Sequence, residues 1–140
     1  MNWKHKDEWK QIGRDFQVVV SRHSVMSSEP SSNCYDAEGE HRWCLYAYIY
    51  PAHPHYAKFE GSNLWQDAAA IGMHGGCSFL RRHYGDDGKV TSIQVGADYH
   101  HDGDWQYTQM ATQDDARGVF NDAQELFDKL AAMEKQGAAS

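Results

Sequence analysis

At 140 residues and 16.0 kDa, with 41% hydrophobic and 24% charged positions, the chain has the size of one ordinary globular domain with a real core. Thirteen Lys and Arg against twenty Asp and Glu leave a formal charge of −7, the wrong sign for a protein that grips nucleic-acid phosphates through a basic surface. No apolar run matches a membrane span or the core of a signal peptide, and Cys34, Cys44 and Cys77 lack CxxC spacing and read as reduced thiols, so a cytoplasmic setting is expected.

Residues 2–11 read as a short helix with Trp3 and Trp9 as packing handles, or, with four basic residues, as a partner-binding arm. Segments 16–22, 42–50 and 89–97 alternate and are rich in β-branched or aromatic residues, which predicts three strands; 79–83 is a fourth with a weaker pattern. Residues 27–40 are polar and predict a mobile loop. Along 42–50, Trp43, Leu45, Ala47 and Ile49 share one face, which predicts core. Cys44, Tyr46, Tyr48 and Tyr50 share the other, either a second packing surface or a ligand platform. His53-Pro54-His55 reads as a surface loop packed by Tyr56 and Phe59, because proline spoils the shared strand face that a metal pair would need. A short helix is expected at 63–71, stopped by Gly72, and Gly85-Asp86-Asp87-Gly88 is turn chemistry that closes 77–97 into a hairpin.

Thr112 with Asp115 three residues on is a variant capping box. Ala116, Val119, Phe120, Ala123, Leu126, Phe127, Leu130 and Met133 then recur at three- and four-residue steps, which predicts an amphipathic helix over 113–134 with Asp122, Glu125 and Asp128 facing away. After Lys135 nothing large remains to bury, so a domain of 1–135 with a frayed tail of 136–140 follows. The expected architecture is α+β: an antiparallel sheet of about four strands, the C-terminal helix packed on one face and the 63–71 helix at an edge.

Charge is unevenly spread, since residues 86–128 hold ten acids and two bases while the remainder is nearly balanced. Asp114, Asp122, Glu125 and Asp128 are the partner-binding candidates; the plain reading of such a surface is solvation and the sharper one a face aimed at a basic partner. Two loops could carry chemistry. In His74-Gly75-Gly76-Cys77-Ser78 the paired glycines permit close backbone approach, and Asp98-Tyr99-His100-His101-Asp102-Gly103-Asp104 interleaves carboxylates with imidazoles. The second reads as a hydrogen-bonded network bracing its loop, or as a divalent-ion site short of a complete ligand set. No nucleophile motif, P-loop or dinucleotide fingerprint occurs, so neither catalysis nor a cofactor is expected.

HGGCSF at 74–79 followed by GADYHHDGD at 96–104 resembles a pattern in small uncharacterised phage and prophage proteins. His74, Gly75, Gly76, Ser78 and Phe79, then Gly96, Asp98, His101, Gly103 and Asp104, carry the resemblance, and the flanks 41–59 and 111–116 look similar too. It implies a phage-encoded accessory protein working in the cytoplasm of a bacterial host: a counter-defence inhibitor, anti-CRISPR-like, that binds a host defence protein and presents carboxylates where nucleic acid would lie. The alternatives are a nucleotide-signal sponge, with His74 and Gly75-Gly76 at the phosphates and Tyr46, Tyr48 or Trp105 stacking the base, and a small metal-binding enzyme using His74, Asp98, His101 and Asp104. Direct nucleic-acid or membrane binding is not expected, and homodimerisation stays open.

Overall fold

A computed structural model describes residues 3–25, 40–56, 79–99 and 105–138. Five strands run β1 (Trp3–Ile12), β2 (Phe16–Val25), β3 (His41–Ile49), β4 (Phe79–Tyr84) and β5 (Val90–Asp98). They form one antiparallel sheet in the order β1-β2-β3-β5-β4. A 3₁₀ turn at Trp105–Gln109 leads to a long helix, α1 (Arg117–Ala138), packed against the sheet. The α+β class with a C-terminal helix on an antiparallel sheet is therefore shown, with five strands rather than four.

The additional strand is the N-terminal segment, which the sequence reads as a short helix or a partner-binding arm. Trp9 is a packing handle, but its period is two: Asp7, Trp9 and Gln11 share one face and Glu8, Lys10 and Ile12 the other. β2 supplies the reason, because Val18, Val19 and Val20 commit it to a strand whose backbone groups need a partner, and a short turn through Gly13 delivers β1 in register. In the β4–β5 hairpin, Gly88 takes φ of +80° and the Asp87 carboxylate accepts from the Lys89 N–H, the expected turn chemistry.

On the helix side of the sheet, Phe16, Val18, Val20, Trp43, Leu45, Ala47, Ile49, Ile93 and Val95 are all buried. Against them α1 sets Val119, Ala123, Leu126 and Leu130, the expected stripe, with Phe127 5.0 Å from Phe16 between ring centroids. Each buried aliphatic side chain of this kind contributes about 1.5–3 kcal/mol of transfer free energy. The capping box forms as expected: the Asp115 N–H donates to Thr112 Oγ1 at 3.1 Å, and the Thr112 and Ala111 N–H groups donate to the Asp115 carboxylate at 3.2 Å. A turn over 113–116 joins this cap to the helix proper, which runs on to Ala138, past the expected fraying point. Thr112→Ala should cost about 1 kcal/mol in urea denaturation. An unchanged midpoint would show that the cap contributes nothing.

The corner after β3 departs from expectation. Pro51, Ala52 and Pro54 are exposed as a surface loop requires, but His53 and His55 are 2% and 4% exposed and turn inward. His53 Nε2–H donates to the Leu130 carbonyl at 3.0 Å, and its Nδ1 accepts the His55 N–H at 3.0 Å, which fixes the tautomer. The imidazole rivets the corner to α1 and has no nitrogen left for a metal. Tyr56 packs on the core as expected. Of the expected loop over 27–40 only Glu40 is among the described residues, and the helix expected at 63–71 lies outside them.

Candidate functional site

Three of the four partner-binding candidates share the outer surface of α1 and its leading turn. Asp114, Glu125 and Asp128 are exposed, with the Gln124 amide donating to Asp128 at 2.9 Å. Asp122 corrects the sequence reading: it is half-buried and accepts the Tyr99 hydroxyl at 2.7 Å, so it ties α1 to the residue after β5. A charge-assisted bond of this kind contributes about 1.5–3 kcal/mol. Arg117, Lys129 and Lys135 are exposed on the same helix, which makes its surface a pattern of charges rather than a uniform negative field. Asp86 and Asp87 sit in the β4–β5 turn, at the end of the sheet away from Asp114 and Asp115, and Asp98 lies on the face turned from α1.

The leading turn is held from below. The Arg22 guanidinium donates to the Ala111 carbonyl and to Asp7 on β1. Burial, then the Arg22 charge, lowers the pKa of half-buried His41 beside it; Glu40 and Asp115 oppose the shift and Arg42 adds to it. Hydrogen bonds from Thr112 and from the Ala111 and Thr112 backbone hold the Asp115 carboxyl below its usual range. The signs agree. His41 takes its proton more readily unfolded than folded, so stability is lost as pH falls below about 6.5. Asp115 keeps its charge more firmly folded than unfolded, so a second loss begins below about 4. His41→Gln should flatten the first loss in denaturant titrations and leave the second. If parent and variant lose stability in parallel between about pH 7 and about pH 5, His41 is not the group responsible.

The other sheet face carries the tyrosines. Val19, Ser21, Ser92 and Gln94 are buried there, and Tyr46 and Tyr48 are half-buried, so this face is a packed surface rather than an open platform. Tyr46 lies 5.5 Å from Phe79 in an edge-on arrangement, and Tyr48 lies 5.8 Å from His83, whose Nε2–H donates to Gln94 Oε1 at 2.7 Å. Burial foremost raises both tyrosine pKa values, with the Cys44 thiol adding at Tyr46 and Glu8 at Tyr48, so both remain phenols at neutral pH. Asp98 ends β5 in register with Cys44, which itself stands in register with Ser21.

His74, Gly75, Gly76, His101 and Asp104 lie outside the described residues. Of the two loop motifs only Asp98 and Tyr99 are therefore placed: Tyr99 is tied to Asp122, and Asp98 stands in register with Cys44 and, one strand further on, Ser21. Among the described residues no group of three or more His, Cys, Asp or Glu side chains is arranged to hold a metal ion, and no helix is long and apolar enough to cross a membrane. Sequence reasoning missed the Arg22 tether, for which the only local signal was a cation ending an apolar strand.

Comparison of the chain with protein-family models, with curated proteins and with solved structures returned no match.

Proposed function

We propose that this chain is a binding protein without catalytic activity, acting as a phage-type counter-defence inhibitor that occludes a basic surface of a bacterial host protein with the carboxylates of α1. The observation that carries this reading is the division of labour along the helix. Val119, Leu126 and Leu130 bind the sheet, whereas Asp114, Glu125 and Asp128 are exposed and support no core contact. A rigid helix locked at its start by the capping box and along its length by the core presents its charges in a fixed pattern. Fixed charge patterns raise association rates and exclude wrong partners more than they add raw affinity. The interspersed Arg117, Lys129 and Lys135 make the pattern selective. Asp122 is left out of this surface because Tyr99 holds it.

The reading is tested by the triple reversal Asp114→Lys, Glu125→Lys and Asp128→Lys, which should abolish capture of the host partner and leave the far-ultraviolet circular dichroism unchanged. Undiminished capture by a folded triple variant would end the acidic-helix mechanism.

A further inference from the structure

A second surface lies at the opposite border of the helix. α1 packs over β2 and β3, which leaves a groove of about 340 Å³ between the helix and β1. Trp9, Val20 and Phe120 form its floor and the amides of Gln11, Gln113 and Gln124 line it. Trp9 is rigidly mounted, stacked 5.5 Å from Trp43 and edge-on to Phe120 at 5.2 Å. Beside the groove runs the outer edge of β1, which among the described residues pairs only with β2. Ile12, 73% exposed, ends the same strand.

We propose that the β1 edge and this groove together receive an extended segment of a partner protein, added to the sheet as a further strand, with apolar and acidic residues alternating along it. Three observations specify that occupant. Alternate N–H and C=O groups of an edge strand point outward and template a new strand. Cross-strand neighbours share a face, so a residue opposite Trp9 or Gln11 points toward α1 and into the groove, where an apolar side chain meets the aromatic floor. Its chain neighbours point to the other face, beside Lys10. The charge of the strand is complementary: within β1 Lys4, Lys6 and Lys10 stand against Asp7 and Glu8, in a chain otherwise strongly acidic; Asp7 is already paired with Arg22, and Arg14, just beyond the strand, is paired with Asp15. The groove lining contains no carboxylate, and its glutamines can both donate to and accept from the polar groups flanking a buried side chain.

Of the three outer carboxylates of α1, Asp128 reaches this groove through the Gln124 amide, so the two proposals are distinguished with variants at Asp114 and Glu125 that leave that bond intact. The probe is the peptide acetyl-Glu-Leu-Glu-Leu-Glu-Leu-Glu-amide, added at millimolar concentration to the ¹⁵N-labelled full chain. The β1 amides that face away from β2 should exchange rapidly in the free protein and slow by about tenfold or more with peptide, while Trp9 fluorescence shifts. Methylating alternate backbone nitrogens of the peptide should abolish the effect. Gln124→Trp, which fills the groove from an exposed helix position, should weaken binding about tenfold with circular dichroism unchanged. Asp114→Asn/Glu125→Gln, which leaves the Gln124–Asp128 bond in place and adds no cation, should bind the peptide as the parent does. Unchanged exchange at saturating peptide, equal binding of the methylated peptide, or outward amides already protected in the free chain, whether by its own residues or by a second copy seen in sedimentation, would each overturn the proposal.

Discussion

Trp43→Ala is expected to destabilise the domain by about 3–5 kcal/mol, a large share of the roughly 5–15 kcal/mol that holds a typical domain together. The residue joins four elements at once. Its ring is 1% exposed and stacks on Trp9 of β1, meets Phe120 of α1 edge-on at 5.8 Å, and its indole N–H donates to the Met110 carbonyl at 2.9 Å, just before the cap of α1. Its backbone carbonyl also accepts the Tyr99 N–H at 2.9 Å. Truncation leaves a cavity between two aromatic neighbours and an unsatisfied carbonyl at the helix entrance, and neither is easily closed. Trp43→Phe retains most of the area and loses the hydrogen bond, so it should recover more than half of the loss. A urea midpoint for Trp43→Ala within error of the parent would mean that α1 does not dock through this residue.

Gly96→Val should be the most damaging substitution on the other face, at about 3 kcal/mol. Tyr46, Gly96 and Phe79 stand side by side on β3, β5 and β4, and the Tyr46 ring lies over the glycine. A Cβ at position 96 would come within 2.3 Å of that ring and 2.9 Å of the Leu45 carbonyl. The ring can be displaced only by giving up its contact with Phe79, and the carbonyl belongs to the sheet and cannot move away. The clash is divisible. Gly96→Ala should cost clearly less in a Tyr46→Ala background than in the parent, a coupling that a double-mutant cycle reads directly. Additive costs would assign the strain to the backbone alone.

The parts of this fold legible in the sequence are those specified by local periodicity. Alternation along 42–50 places Trp43, Leu45, Ala47 and Ile49 in the core, and the three- and four-residue steps after Thr112 give α1 with its cap. Contacts made at a distance were not legible. The charged N-terminal segment is a strand over Trp3–Ile12 because β2 offers it a partner, a tertiary effect that overrides a weak local preference. His53 looks like a loop residue beside proline until the Leu130 carbonyl, 77 positions away, is brought to it. Asp122 has the spacing of an outward carboxylate but sits at the border of the buried stripe, where Tyr99 reaches it. The candidate site was legible as residue types and spacing, and the structure reduces its helix component to Asp114, Glu125 and Asp128. The groove beside β1 had no signature, since the residues around it come from two regions far apart in the chain, 9–20 and 113–124.

The measurement that bears most directly on the proposed function is native mass spectrometry of the chain after affinity capture from bacterial host lysate without chelator, run in parallel for the parent and for Asp114→Lys/Glu125→Lys/Asp128→Lys. The acidic-helix account predicts one stoichiometric host protein on the parent and its loss from the folded triple variant. The same host protein retained by the variant, or a parent that carries a nucleotide-sized mass or a metal ion in place of any protein, would contradict it.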